Sequence, residues 1–311
     1  MESKPAITTP VYTLSSGHSM PMIGLGTDGI TDPTIIARAV TDLGYRLLDT
    51  ASRYKNEHVV GQAITLAASQ VKREELFVVT KVWIDEVEDV EGACRRSLEK
   101  LGLEWVDLYL LHWPVAVRTI MQEDGSEKYE KINLPVHKIW PQLEALVDLG
   151  LAKSIGVSNF NVQSLWDLQS YARTPPAANE VEIHPLYNQS PLVAYCLSQH
   201  ILPVAYSSLA RASNAAKKKG TANVLETELI QGLARKYSKI ETQIVLNWAV
   251  VGRGYAVIPK SATFERQRDN LQGVTDFKME ESEYKRITDE LHDGSKICKT
   301  YEWLFNYDLW A

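Results

Sequence analysis

The chain has 311 residues, of which 45% are hydrophobic and 23% are charged, the composition of a globular protein with a sizeable core. Its formal net charge of −6 and the scatter of its 33 basic residues argue against binding to nucleic acid. No apolar run approaches 18 residues and the N-terminus does not resemble a signal peptide, so we expect a cytoplasmic protein without a membrane segment.

Segments with strand and helix patterns alternate along the chain. A hairpin is predicted over residues 11–22, and a short strand follows to Leu25. The later predicted strands are 45–49, 76–81, 106–111, 153–156, 179–183, 201–206 and 255–258. The predicted helices are 33–43, 57–69, 87–101, 136–149, 162–170, 191–199, 222–236, 241–251 and 263–270, with a further element at 280–291 and then an aromatic tail.

This alternation predicts the fold class. Eight strands that are each followed by a helix are typical of an α/β protein that forms a (β/α)8 TIM barrel. We expect the barrel to carry an N-terminal β-hairpin and a C-terminal aromatic tail. No low-complexity linker divides the chain, so a single domain over residues 1–311 is predicted.

Four reactive side chains stand where predicted strands end. Asp49 closes one strand, Tyr54 follows five residues later, Lys81 closes the next strand, and His112 follows the one after that. The carboxyl ends of barrel strands meet at one face, which is the usual location of catalysis. Taken singly, Asp49 is explained as a helix cap, Lys81 as a surface charge, and the two rings as packing groups. Their joint placement favours a catalytic site.

The same four groups suit one proton transfer. A free tyrosine, with a pKa of about 10, is a poor acid or base near neutral pH. An ammonium about 4 Å away stabilises the phenolate by roughly 4 kcal/mol at an effective dielectric of about 20, so we expect Lys81 to lower the pKa of Tyr54 by as much as about three units. Asp49 would keep the buried lysine charged. His112 would orient a carbonyl group and assist its protonation.

Residues 24–29 match the glycine pattern of a dinucleotide-binding turn, and Asp49 lies 20 residues beyond its last glycine. In that motif the helix begins within the glycines, where its N-terminus meets the pyrophosphate. Here Asp32 and Pro33 predict a helix start after the third glycine. The pattern therefore does not favour a Rossmann fold, and we expect the glycines to let the backbone pass close to a cofactor at the barrel mouth.

A phosphate site is better supported after the last predicted strand. Lys260, Ser261, Arg266 and Asn270 bring two cations, a hydroxyl and an amide to the end of the last strand and to the helix after it. A helix N-terminus flanked by lysine and arginine suits a phosphate monoester. The alternative is an exposed cationic helix start without a ligand.

Several longer motifs identify a resemblance that covers nearly the whole chain. The sequence is similar to the aldo-keto reductase family, in its aldose-reductase-like branch. The motifs that carry the resemblance are Leu14–Pro21, Asp49–Tyr54 with Lys55–Glu57, Leu110–Pro114, Ile155–Phe160, Val181–Pro185 and Val257–Ser261. The resemblance implies a TIM barrel, the catalytic tetrad Asp49, Tyr54, Lys81 and His112, and NADPH or NADP+ as the cofactor.

The resemblance also implies two groups of binding residues. Ser158 and Asn159 would hydrogen-bond the nicotinamide carboxamide, Tyr206 would stack on its ring, and the Lys260 cluster would hold the 2′-phosphate. The full cofactor set is Gly26, Thr27, Asp49, Ser158, Asn159, Glu180, Tyr206, Ser207, Leu209, Lys260, Ser261, Arg266 and Asn270. The substrate side would be shaped by the tail and the segment 115–135, with the pocket residues Asp28, Trp83, Trp113, Tyr301 and Trp303.

The chain departs from the family pattern at three places. Glu180 stands where glutamine is usual, and its charge favours an oxidised, cationic nicotinamide. The segment Ser207–Ala210 replaces the usual Ser-Pro-Leu-Gly after the stacking tyrosine. Asp28 replaces the tryptophan or other large residue found in many members, which predicts a bias toward polar substrates, unless Asp28 points to solvent or caps the turn.

The function implied is NADPH-dependent reduction of an aldehyde or ketone to the alcohol. Two other classes stay open: a redox-sensing module that binds NADPH with little turnover, and a phosphate-binding barrel lyase or isomerase. The expected partner is a small carbonyl compound, and a monomer or weak dimer is implied. Three cysteines, Cys94, Cys196 and Cys298, are too few and too widely spaced for a disulfide framework or a metal cluster, so no metal is expected.

Overall fold

A computed structural model describes residues 9–210, 212 and 223–296. Cys298 and the predicted pocket residues Tyr301 and Trp303 lie outside the described residues. Within them, no helix is long and apolar enough to cross a membrane.

The chain opens with an antiparallel hairpin of β1 (Val11–Thr13) and β2 (Ser19–Pro21), which confirms the predicted hairpin. The described strands that follow are β3 (Leu25–Gly26), β4 (Leu47–Asp49), β5 (Phe77–Val82), β6 (Val106–Leu111), β7 (Val117–Met121), β8 (Glu127–Lys131), β9 (Ala152–Ser158), β10 (Ala178–Glu182), β11 (Leu202–Tyr206) and β12 (Ala256–Val257). Of these, β7 and β8 form a separate antiparallel hairpin.

The other eight strands form one parallel sheet in the order β3-β4-β5-β6-β9-β10-β11-β12. The two edge strands also meet, since Ile23 bridges to Val257 and Gly26 bridges to Lys260. The backbone N–H groups of Gly24 and Val257 donate to the carbonyls of Val257 and Met22, each at 2.9 Å. The sheet therefore closes on itself, and the predicted (β/α)8 barrel with an N-terminal hairpin is confirmed.

The helices cover the outside of this sheet, as their pattern of buried residues requires. They are α1 (Pro33–Arg38), α2 (Glu57–Ala67), α3 (Val90–Leu101), α4 (Val136–Asp148), α5 (Val162–Gln169), α6 (Ser190–Ser198), α7 (Glu228–Tyr237), α8 (Glu241–Asn247), α9 (Phe264–Leu271) and α10 (Glu281–Glu290). Short π-helical segments, Ala39–Leu43 and Trp248–Gly252, continue α1 and α8. Helix α7 begins six residues later than predicted, after a 3-10 turn at Val224–Glu226.

The glycines before and within β3 are explained by close packing in the barrel. A Cβ on Gly26 would lie 2.7 Å from the carbonyl oxygen of Ile258, and one on Gly24 would lie 2.4 Å from the side chain of Leu47. The helix begins only after the glycines, where Oδ1 of Asp32 accepts from the backbone N–H of Thr34 at 2.8 Å. The prediction that the motif is not a Rossmann turn is therefore supported by the cap geometry.

The hairpin of β7 and β8 was not predicted as secondary structure. Its strand Glu127–Lys131 reads Glu-Lys-Tyr-Glu-Lys and is exposed apart from Tyr129, so the sequence carries no alternation of apolar residues. A small cluster of Trp83, Ile84, Trp113 and Val117 anchors the hairpin to the ends of β5 and β6. The segment thus stands at the face where the barrel strands end.

Candidate active site

The carboxyl ends of β4 and β5 bring Asp49 and Lys81 together. The Nζ atom of Lys81 donates to Oδ2 of Asp49 at 2.7 Å and to the carbonyl oxygen of Thr50 at 3.0 Å. The lysine is fully buried and Asp49 is 2% exposed. A buried ammonium is retained only when carboxylates compensate its desolvation.

Glu180 on β10 supplies a second carboxylate to the same ammonium. Its Oε1 lies 3.2 Å from Nζ of Lys81, and Glu180 is 2% exposed. Burial by itself would lower the pKa of Lys81, but the attraction of Asp49 and Glu180 outweighs it and raises the pKa. For Glu180, burial and the repulsion of Asp49 raise the pKa well above its ordinary value, and Lys81 offsets only part of this. Two carboxylates therefore compete for one cation.

Tyr54 and His112 lie beside this cluster. Nζ of Lys81 is 5.2 Å from the centroid of the Tyr54 ring, and the Tyr54 and His112 rings meet edge to face at 6.0 Å. Trp83 packs edge to face on the other side of His112, at 4.9 Å. Burial, then Lys81 and Arg53, hold the pKa of His112 well below its ordinary value. The imidazole is therefore neutral at neutral pH and acts as a hydrogen-bonding group.

The pKa of Tyr54 differs from the sequence-based expectation. Burial raises it above the ordinary value, and Lys81 offsets this only in part because Asp49 and Glu180 act in the opposite direction. The expectation of a net lowering by Lys81 was therefore wrong for this arrangement, since it neglected desolvation and the second carboxylate. Tyr54 keeps its proton at neutral pH, which suits a proton donor.

One cavity of about 1160 Å³ joins this cluster to the predicted phosphate site. Lys81 and Ser158 are fully buried beneath it, and Trp83 stands beside it against His112. Of the predicted residues that the structure describes, the cavity wall includes Gly26, Thr27, Asp28, Asp49, Tyr54, His112, Trp113, Asn159, Glu180, Tyr206, Ser207, Leu209, Lys260, Ser261, Arg266 and Asn270.

The wall formed by β9, β10 and β11 is fixed by side-chain hydrogen bonds. Oγ of Ser158 donates to the carbonyl of Glu180 at 2.7 Å, and Nδ2 of Asn159 donates to the carbonyl of His112 at 3.0 Å. The hydroxyl of Tyr206 donates to Oδ1 of Asn159 at 2.8 Å. Asn159 adopts a left-handed φ of 61°, a conformation that asparagine tolerates better than most residues. The amide of Asn159 and the ring of Tyr206 are thereby held in fixed positions on the cavity wall.

The far end of the cavity is cationic. Lys260 and Arg266 are exposed, and neither makes an ion pair with any residue that the structure describes. Asn270 is only 4% exposed and lines the cavity, yet its amide forms no hydrogen bond within the described ranges. Two uncompensated cations and an open amide, on α9 and on the segment that leads into it, fit a phosphate group. The donors present, together with the cavity volume of about 1160 Å³, fit a phosphorylated dinucleotide.

Some residues at this site were not predicted from the sequence. Leu225, Ile240 and Thr242 line the cavity from the region of α7 and α8, and nothing in their local sequence signals a ligand. Arg53 was passed over although it directly precedes Tyr54, and its guanidinium carbon lies 5.3 Å from the Trp83 ring centroid. A charge inside the motif that carries the tyrosine was the available signal.

Known proteins resemble this chain over nearly its full length. A model described as "Aldo/keto reductase family" matches residues 27–291. The chain is 38% identical over 292 residues to aldo-keto reductase family 1 member A1-A of Danio rerio, covering 90% of this chain and 89% of that protein. It is 36% identical over 289 residues to an NADP-dependent D-sorbitol-6-phosphate dehydrogenase of Malus domestica, covering 88% and 92%. A probable NAD(P)H-dependent D-xylose reductase of Arthroderma otae is 37% identical, covering 91% and 92%.

Solved structures agree with these matches. A Bombyx mori aldo-keto reductase in complex with NADP superposes with a TM-score of 0.88 at 31% identity, covering 98% of this chain and 99% of that one. The aldose reductase of Schistosoma japonicum gives a TM-score of 0.84 at 31% identity, covering 96% and 97%.

Proposed function

This chain belongs to the aldo/keto reductase family, whose members are NAD(P)H-dependent oxidoreductases that act on carbonyl groups. We propose that it reduces an aldehyde or ketone to the alcohol with NADPH, and that Tyr54 is the general acid. The observation that carries the proposal is the buried Lys81 ammonium, 2.7 Å from Asp49 and 5.2 Å from the centroid of the Tyr54 ring. The chemistry that NADPH supplies when bound is hydride donation to the carbonyl carbon.

In this proposal the proton passes from Tyr54 to the oxygen of the substrate. The phenol is protonated at neutral pH because burial raises its pKa. As negative charge develops on the substrate oxygen, the phenol gives up its proton, and the nearby Lys81 ammonium stabilises the phenolate that results. Asp49 holds Lys81 in position and keeps it charged. Both residues therefore act on the donor rather than on the substrate.

His112 would orient the carbonyl. The ring is neutral, and its Nδ1 is buried without a hydrogen-bond partner in the described part of the chain, so Nε2 is the nitrogen left for a ligand. A neutral N–H donor beside Tyr54 fixes the carbonyl oxygen without competing as the stronger acid. The tautomer required carries its proton on Nε2.

The cofactor would lie along the cavity, from Tyr54 to α9. Lys260, Arg266 and Asn270 would hold the 2′-phosphate, which supports NADPH over NADH. Asn159, Ser158, Glu180 and Tyr206 would contact the nicotinamide. Gly26, Thr27, Ser207, Leu209 and Ser261 complete the proposed contacts along the cavity wall.

The test is loss of absorbance at 340 nm when the protein is mixed with NADPH and a panel of aldehydes and ketones. Turnover above about 0.1 s⁻¹ with at least one carbonyl compound supports an enzyme, given that typical enzymes turn over at roughly 1–1000 s⁻¹. Tight NADPH binding without turnover on any of them would instead favour a cofactor-binding sensor. No NADPH binding, with phosphate sugars converted, would favour a lyase or isomerase. Size-exclusion chromatography with light scattering tests the proposed monomer.

A further inference from the structure

Arg53 lies next to the catalytic cluster. It lies in the single 3-10 turn Ser52–Tyr54, so it is covalently adjacent to Tyr54. Its guanidinium carbon is 5.3 Å from the centroid of Trp83, whose ring packs against His112. The charge of Arg53 is felt at the imidazole, where it contributes to lowering the pKa of His112. The guanidinium is thus separated from the proposed carbonyl site by one aromatic ring.

The guanidinium of Arg53 lacks the acceptors that similar arginines have here. The other half-buried arginines of the described ranges are all bonded: Arg46 to the carbonyls of Val40 and Tyr45, Arg73 to Asp107, and Arg253 to the carbonyl of Asn188 and Oγ of Ser190. Within the same ranges Arg53 makes no hydrogen bond and no ion pair, and its contact is the face of Trp83. A guanidinium carries five N–H donors, so it remains available to a ligand.

The hairpin of β7 and β8 does not satisfy this charge. Its carboxylate Glu127 accepts from the hydroxyl of Tyr129 at 2.7 Å and forms no ion pair with Arg53. Lys55 is exposed two residues beyond Arg53, and both cations contribute to lowering the pKa of Glu127. The rim between Tyr54 and β8 therefore carries two cations, and the carboxylate of Glu127 on this hairpin is already hydrogen-bonded to Tyr129.

We propose that Arg53 is an anion-binding residue of the substrate pocket, and that the preferred substrates are aldehydes or ketones that carry a phosphate or carboxylate group. This inference rests on the proposed carbonyl reduction. Arginine suits the role because its planar donors match two oxygens of either anion at once. Stacking on Trp83 holds the guanidinium in place and leaves its edge free for the anion.

The first test compares matched substrates. Glyceraldehyde 3-phosphate is paired with glyceraldehyde, and 4-carboxybenzaldehyde with benzaldehyde, and kcat/KM is measured for each. Wild-type protein should prefer the anionic member of at least one pair by about 10-fold or more, as expected for a charge-assisted hydrogen bond. Arg53→Met, which keeps a long side chain on Trp83, should lower that ratio by about 10–100-fold, mainly through KM. Arg53→Lys should retain part of it.

The matched control is Arg118→Met on β7, since Arg118 is exposed and already bonds to Glu88. It removes the same charge and should leave the ratio within about twofold. A general charge effect would move the ratio equally in both variants and would overturn the inference. Equal kcat/KM for anionic and neutral members in wild type would overturn it as well.

A second readout does not depend on turnover. Calorimetry of the NADP+ complex with inorganic phosphate and with benzoate should show binding of at least one anion, weakened about 10-fold or more in Arg53→Met. Which anion responds separates a phosphate site from a carboxylate site. Anion binding that requires Arg53 in a protein that reduces no carbonyl would refute the proposed reduction and keep the anion site. If the protein reduces carbonyl compounds but Arg53→Met changes neither anion binding nor the preference for anionic substrates, the proposed reduction stands and the anion site is refuted.

Discussion

Glu180 lies 3.2 Å from the ammonium of Lys81, so the buried lysine contacts a second carboxylate in addition to Asp49. With both carboxylates ionised, this buried cluster carries one net negative charge. Burial and the repulsion of Asp49 therefore raise the pKa of Glu180 well above its ordinary value. Glutamine would occupy the same volume without this charge, which makes Glu180→Gln the informative substitution.

The first prediction concerns stability. Because the pKa of Glu180 is raised on folding, the unfolded chain releases this proton at a lower pH than the folded chain, and the free energy of unfolding falls as pH rises between the two values. Glu180→Gln removes this loss. The Tm of the variant minus the Tm of wild type should therefore be a few degrees larger at pH 8 than at pH 5, since 1 kcal/mol of stability corresponds to about 2–4 °C in Tm. Glu99→Gln, at an exposed site on α3, serves as the control. A Tm difference that does not change with pH would contradict the raised pKa.

The second prediction concerns cofactor preference. A carboxylate about 6 Å from a cationic nicotinamide stabilises it by roughly 2–3 kcal/mol at an effective dielectric of about 20. Glu180→Gln should therefore lower the affinity for NADP+ relative to NADPH by about 10-fold at pH 9 and by less at pH 6, because the pKa of Glu180 is raised and its ionised fraction grows with pH. Fluorescence titrations with each cofactor give the ratio of the two Kd values. An unchanged ratio at pH 9 would mean that Glu180 does not sense the nicotinamide.

The third prediction tests the proton donor. Tyr54→Phe removes the phenolic hydroxyl and no proposed cofactor contact, so kcat for carbonyl reduction should fall by at least about 100–10000-fold, the usual share of general acid catalysis. The Kd for NADPH should stay within a few-fold. Tyr12→Phe, on the hairpin of β1 and β2, should leave both quantities unchanged. Substantial turnover of a reactive aldehyde by Tyr54→Phe would assign the proton donor to another group.

The sequence predicts the features of this site that depend on neighbouring residues, and it misses those that depend on contacts between distant segments. Strand β6 was predicted with its observed bounds because a short, mostly apolar run is a local signal. The Lys81–Glu180 contact joins β5 to β10, and its distance depends on barrel closure rather than on either segment. The residue Glu180 was noticed, but its effect on the pKa of Tyr54 was not, because desolvation depends on packing. The hairpin of β7 and β8 was missed because its exposed faces carry no periodicity.

The fourth prediction concerns the phosphate end of the cavity. Lys260→Ala or Arg266→Ala should weaken NADPH binding by about 10–150-fold, since each charge-assisted bond to phosphate is worth about 1.5–3 kcal/mol. NADH binding should change little, because NADH lacks the 2′-phosphate. The control is Arg268→Ala on the same helix, whose guanidinium is already bonded to Asp269 at 2.8 Å. Equal losses for NADPH and NADH would show that these cations do not read the 2′-phosphate.

The fifth prediction concerns Asp28, which lines the cavity, is exposed, and contributes to raising the pKa of Tyr54. A carboxylate here accepts from hydroxyl groups and repels a substrate anion by roughly 2–3 kcal/mol at about 6 Å and an effective dielectric of about 20. Asp28 therefore opposes the attraction proposed for Arg53, and a substrate that satisfies both would place hydroxyls near Asp28 and its anion near Arg53.

Asp28→Trp should lower kcat/KM for a polyhydroxy aldehyde relative to an aromatic aldehyde, and raise it for an anionic carbonyl compound, each by about 10-fold. Asp28→Asn removes the charge without adding the ring, so it separates the two effects: only the anionic substrate should respond strongly. The ratios of kcat/KM among the three substrates decide the matter. If all of them stay within about twofold of wild type in both variants, Asp28 points to solvent during the reaction and has no part in substrate selection.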